Sequence, residues 1–219
     1  HGAREPVFGV PFAVLKTLYK RIVVDHELAL ALWATGNFDA RNLAVKVVDP
    51  ARLTYAELDA WGHASHVAMV TGYVAHVAVE SPHAKALVGN WLAGPAPGLR
   101  AVGWCLVAAL ALRDVEIGDD WMTERLTEIE AQIRVAPNAE RGPMNHALIA
   151  IGCRNEALRA TATAAALRIG AVEIDHGDTA CETVQAAPRI DKTWDHSTSK
   201  GFASPAAHER SRESMRTRC

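Results

Sequence analysis

The sequence predicts an all-α fold of antiparallel helix pairs stacked in series, and three observations carry that expectation. Apolar residues fill 49% of the 219 positions while aromatics reach only 6%, so the apolar content comes mainly from Ala, Leu and Val. Such a composition suits closely packed helices better than a sandwich of sheets, where β-branched and aromatic residues dominate. Apolar residues also recur at helical spacing between Gly, Pro and Asp punctuation. Finally, no segment alternates apolar and polar residues over the length of a strand.

The elements follow in order. Phe12, Leu15, Leu18, Tyr19 and Ile22 place one apolar face on a first helix. Asp25 is a cap for HELALALWATG, which ends at Gly36, a natural left-handed terminator. Asp39 is expected to open ARNLAVKVVD, closed by Asp49-Pro50, and Thr54 with Glu57 forms a capping box for YAELDAWGHA. Ser81-Pro82 reads as a cap plus first-turn proline, with Gly94-Pro95 as the stop. Further helices are expected at Pro97–Leu112, Asp120–Val135, Pro143–Cys153 and Glu156–Gly170. Leu28–Ala34 and Val102–Leu112 are apolar all round, which predicts burial in an inner layer.

Near the end, EIDHGDTACETV gathers Asp175, His176, Asp178 and Cys181. Thr179 and Glu182 form a second capping-box pattern, so part of the cluster is expected to start a helix through TVQAAPRIDKTW. Imidazole, carboxylate and thiolate also suit zinc, with His63 and His66 as further donors from another element. The polar-loop reading outweighs it, and no metal or cofactor is expected. His176 beside Asp175 or Asp178 is the candidate acid–base group, because a carboxylate can orient and charge an imidazole. Trp33, Trp61 and Trp104 sit in apolar helices and read as core, although an aromatic ring can also stack on a flipped base.

One domain over residues 1–194 is expected, followed by a polar extension over 195–219. From Lys192 onward six Lys or Arg face three acids, enough for a weak electrostatic arm on phosphates or a surface-bound terminus. The net charge of −2 excludes a globally basic chain, so a nucleic-acid partner requires a local basic surface. Cys105, Cys153, Cys181 and Cys219 lack any C-x-x-C pairing, which argues against a zinc ribbon or disulfide framework and for a reducing cytoplasm. The longest apolar run, Ala101 to Leu112, is about half of the ~20 residues that cross a bilayer. The opening HGAREP has no signal-peptide core. A soluble, cytoplasmic monomer without membrane contact is expected.

Three segments together resemble a known family. DHELALALWATGNFDARNLAVKVVDPARLTYAELDAW (Asp25 to Trp61), LRAVGWCLVAALAL (Leu99 to Leu112) and NHALIAIGCRN (Asn145 to Asn155) are similar to the DNA alkylation repair family. Its members are DNA glycosylases of HEAT-like repeats, and their relatives, that remove 3-alkyl and 7-alkyl purines. The resemblance spans roughly Val7 to Trp194 and implies a HEAT-like solenoid whose concave face meets duplex or branched DNA, mainly at phosphates. It implies Arg100 as a DNA contact, with Arg41, Lys46, Asn145, His146 and Arg154 as further candidates on that face. A branch of the family is similar in carrying DHG-acid-T-x-C near its end, which implies a separate site at Asp175, His176, Asp178 and Cys181.

The departures shape the expected function. The family's glycosylases carry a Trp-x-x-x-Asp pair whose carboxylate stabilises positive charge on the sugar as the base leaves. Here Gly62 to Ala75 holds neither tryptophan nor carboxylate, and Cys153 replaces the tryptophan of the family's IGW segment. The expected protein binds DNA without the usual base-excision chemistry. The alternatives are a small-molecule or nucleobase hydrolase working through Asp175, His176 and Asp178, and a protein-binding helical scaffold without catalysis.

Overall fold

A computed structural model describes residues 6–65, 68–177 and 179–216, and helix is the only regular structure among them. Five pairs build the stack: α2 (His26–Ala34) with α3 (Phe38–Val47), α4 (Tyr55–His63) with α5 (Ala68–Val79), and α6 (Ala84–Leu92) with α7 (Pro97–Arg113). They continue as α8 (Asp119–Gln132) with α9 (Asn138–Gly152), then α10 (Glu156–Ile169) with α11 (Ala186–Thr198). The second helices touch in series, α3 on α5, α5 on α7, α7 on α9 and α9 on α11, and form an inner layer. The fold is thus the predicted all-α stack. α1 (Phe12–Ile22) closes the first end against α3, and α12 (Pro205–Arg210) lies on α7 and α11.

The core follows the same logic. Nearly all of α7 is buried, including Trp104, Leu106 and Leu110, because it is covered by α5, α6 and α9 at once. Trp33 and Trp61 stack at 4.1 Å between centroids, and all three tryptophans expected in the core are buried there. Gly152 ends α9 where a methyl group would stand 2.7 Å from Ile190 Cδ1, so the missing side chain lets α11 seat closely.

Several starts match their sequence signals. Asp25 accepts from the Leu28 amide, Thr54 and Glu57 form the reciprocal box, and Gly36 is left-handed at φ 70°. Others differ for physical reasons. Asn37, not Asp39, caps α3, because the buried Asp39 carboxylate accepts the amides of Phe8 and Gly9 at 2.7 and 2.9 Å. The Ser81 hydroxyl donates to Ala78 O and accepts the His83 amide, so it closes α5 and α6 begins only at Ala84. α9 starts five residues before Pro143, which removes one amide donor without ending the helix. Thr179 opens no helix: its hydroxyl donates to His176 O and accepts the Cys181 amide, and α11 waits until Ala186. Two helices, α5 and α12, were not foreseen.

The boundary expected after residue 194 falls inside α11. Beyond it the chain returns as a strap over the C-terminal ends of the inner helices. Ala206 N donates to Cys153 O, and Arg113 gives three bonds to the carbonyls of Glu209, Arg212 and Glu213 at 2.8–3.2 Å. Glu80 accepts from Ser214, the Met215 amide and Arg216, while Lys46 and Arg216 each donate to the other's carbonyl. Helix C-termini leave carbonyls without intrahelical donors and favour nearby cations, which is what a strap rich in arginine satisfies.

Candidate nucleic-acid interface

The inner layer and the strap enclose a concavity of about 520 Å³. Its floor is Cys105, Ala108 and Leu112 of α7 with Ile149 of α9 and Cys153 at the cap that ends α9. Burial pushes both thiols up to about 12, so the floor is uncharged at neutral pH. Arg189, Thr193 and His196 of α11 form one side, His146 of α9 another, and His208 and Glu209 of α12 the third. Crowding within the cavity, then the positive charge of Arg189, hold the His146 imidazole below its ordinary range.

The electrostatics of this wall come from α11. Arg189, Lys192 and His196 recur at spacings of three and four on one face of α11, Lys200 follows in the turn just past its end, and all four are exposed. The guanidinium of Arg189 and the ammoniums of Lys192 and Lys200 make no ion pair or hydrogen bond with a described residue. On α1, Lys16, Lys20 and Arg21 are likewise exposed and unpaired. A second concavity, of about 550 Å³, sets Asp49, Glu80, Asp114, Glu116 and Glu213 against Arg113, an acidic excess that disfavours phosphate.

The residues expected to meet DNA are placed unevenly. Arg100 grips Glu140 through Nε–Oε2 at 3.0 Å and Nη2–Oε1 at 2.6 Å, and gives Nη1 to the carbonyls of Gly94 and Pro95. The hydrogen bond to Glu140 holds its pKa above the ordinary value, and the guanidinium is committed within the fold. Arg41 lies over Trp33 at 4.8 Å and donates to Trp33 O and Ala64 O; burial lowers its pKa. Lys46 is buried, 3.6 Å above the Tyr73 ring and bonded to Arg216 O, so the expectation of a groove-facing ammonium is corrected by the strap that covers it. Arg154 is 8% exposed and caps the end of α7 through Ala111 O, Asp114 O and Ile117 O, with Asp119 at 3.3 Å. Asn145 is buried and donates to Val184 O at 2.8 Å. His146 alone of the six faces the cavity, where its ring is exposed.

The described residues of the DHGDTAC segment, 175–177 and 179–181, form no helix, and Asp175 is held against the start of α9. Asn138 bonds both backbone groups of Asp175 at 2.8 Å, Arg141 donates to Glu173 O, and Asp175 accepts the Gly177 amide. His176 Nε2 meets the Thr183 hydroxyl at 3.0 Å, and neither Asp175 nor His176 lines the inner-face cavity. Asp178 and His66 lie outside the described residues. His63 is half a stack away, 3.9 Å from Asp59. No group of three His, Cys, Asp or Glu suited to a metal ion occurs among the described residues.

Sequence reasoning missed Arg189 and its stripe. The signal was present in the spacing of Arg189, Lys192, His196 and Lys200, but the expected helix start at Thr179 and the split at residue 194 divided it.

A series of antiparallel helix pairs whose second helices form one inner layer defines a HEAT-like repeat fold. The chain belongs to the DNA alkylation repair enzyme family, whose sequence model matches residues 1–165. It is similar to uncharacterized proteins of Listeria monocytogenes serovar 1/2a and Listeria innocua serovar 6a. Each is 23% identical, over 198 and 205 residues respectively, covering 88% of this chain and 86% of the relative. A solved structure is similar over 89% of this chain and 84% of its own, with 27% identity and a TM-score of 0.79. It represents a family of proteins related to the HEAT-like repeat DNA glycosylases with affinity for branched DNA structures. No helix among the described residues is long and apolar enough to cross a membrane.

Proposed function

We propose that this protein binds DNA, branched DNA included, on its inner face and has left behind the base-excision chemistry of the family's glycosylases. The observation that carries the reading is the set of unpaired cations, Arg189 and Lys192 on α11 and Lys200 in the turn after it, beside the inner-face cavity. Long cationic side chains without internal partners are what phosphate contacts require, and they give affinity without sequence choice. The affinity of the structural neighbour for branched DNA supports the partner. The loss of excision is supported by α5: Met69 to Val79 carries no carboxylate or tryptophan, and His76 is the ring it turns to the cavity.

The test is fluorescence anisotropy with labelled intact, N7-methylated and branched DNA across a salt series, each run ending in hot alkali to reveal abasic sites. The expected result is binding that weakens steeply with salt and leaves every strand intact. No binding to any DNA at low salt would sink the DNA reading. Cleavage of the methylated strand alone would show that excision has been retained.

A further inference from the structure

We infer that the inner-face cavity receives a single nucleoside monophosphate unit, with its phosphate on Arg189 and His146 and its base on the apolar floor. This rests on the DNA-binding reading above and adds the ligand of its central cavity. At about 520 Å³ the space lies within the roughly 300–1,000 Å³ typical of small-molecule sites, so it is large enough for one nucleotide.

The walls divide by chemistry in the way a nucleotide does. Cys105, Ala108 and Ile149 give an uncharged floor that favours a flat, weakly polar ring. At its edge Phe202, His208 and His196 stack in series, with 4.3 and 5.8 Å between centroids, and the ladder ends on the exposed His196. An aromatic face at the end of such a ladder is a stacking surface for any base. His208 itself is committed, with Nδ1 facing Ser197 Oγ and Nε2 facing Arg212.

Two turns back along the same α11 wall the cavity suits an anion. Arg189 has a free guanidinium fork, and His146 beside it offers a ring nitrogen within the same crowded space. A fork of N–H donors matches two phosphate oxygens, and charge assistance makes such bonds stronger than neutral ones. On the strap side Glu209 is buried, 3.6 Å from Arg212, which also lines the cavity. That carboxylate offsets the charge of Arg212 on the strap side, which leaves Arg189 as the cavity's guanidinium unpaired among the described residues and directs the phosphate toward α9 and α11. A free nucleotide and an unpaired nucleotide at a DNA branch carry the same recognised chemistry.

Isothermal titration of the full chain with 2′-deoxyadenosine 5′-monophosphate, deoxyadenosine and inorganic phosphate tests the proposal. The monophosphate is expected to bind at least about tenfold more tightly than either fragment, since both halves of the cavity contribute. Arg189→Ala is expected to weaken it about 10- to 100-fold, the range for a charge-assisted bond. Ala108→Phe, at a partly exposed floor position, is expected to abolish monophosphate binding while thermal unfolding stays near that of the parent. Displacement of a flap-bearing labelled junction by the monophosphate would assign the site to an unpaired DNA nucleotide; binding without displacement would assign it to a free one. Equal binding of inorganic phosphate, or no monophosphate binding at millimolar concentration, would overturn the proposal. Junction binding without monophosphate binding would leave the DNA reading standing, whereas the reverse would remove that reading and keep the cavity.

Discussion

Removing the cations on and just after α11 together, as Arg189→Ala, Lys192→Ala and Lys200→Ala, should cut DNA affinity and its salt dependence while leaving the fold intact. Each of the three is exposed and makes no side-chain bond with a described residue, so no internal contact is lost. Surface changes of this kind usually stay within about 0.5 kcal/mol of stability. If each cation neutralises one phosphate, the slope of log K against log salt should become shallower by about 0.9 per contact, or about 2.7 in all. Between 50 and 200 mM salt that is a loss of roughly 40-fold in the salt sensitivity of the parent relative to the variant. The assay is anisotropy of a labelled four-way junction at four salt concentrations, with thermal unfolding as a control. An unchanged slope with an unchanged melting temperature would refute the reasoning and place the phosphates elsewhere, with Lys16, Lys20 and Arg21 on α1 the next positions to examine.

Three further outcomes follow from the packing. Arg154→Ala strips donors from the buried carbonyl of Ala111 and the half-buried carbonyls of Asp114 and Ile117 and should cost about 3 kcal/mol, read as a melting temperature lower by several degrees. Glu80→Ala removes the acceptor for Ser214, Met215 and Arg216, so the strap should loosen and trypsin should cut after Arg210, Arg212 or Arg216 sooner than in the parent, as followed by mass spectrometry. The folded state disfavours protonated His146, so below its ordinary value of 6.5 the unfolded chain binds more protons at this site. Stability from this site is therefore present above that pH and lost as pH falls through it. His146→Gln should flatten that part of the denaturant-midpoint profile between pH 7 and 5.

Most of the helical order was legible because capping is local. Asp25, Thr54 and Glu57 act within one turn of themselves, so their types and spacing suffice. Asp39 and Ser81 were misread because their partners, Phe8 and Gly9 in one case and Ala78 in the other, won over the helix start that the pattern suggested. α5 escaped because it is apolar all round and, unlike α2 with Asp25 and α7 with Pro97, has no cap residue or proline directly marking its start in the sequence. The site was harder to read. Arg100, Arg154 and Lys46 look like phosphate ligands in one dimension, yet each is committed to a carboxylate or carbonyl at long range, to Glu140, Ile117 and Arg216 respectively. The strap that makes the last of these contacts returns from 170 residues away, a closure that no local pattern encodes.

The central claim is that DNA lies along α11 and the inner cavity. It is tested most directly by acetylating surface lysines with a short reagent pulse, with and without saturating four-way junction, and reading each site by mass spectrometry. The account predicts that the junction protects Lys192 and Lys200 while Lys85, which pairs with Asp114 and Glu116 at the acidic concavity, reacts as before. Full reactivity at Lys192 and Lys200 in the presence of bound junction would contradict it.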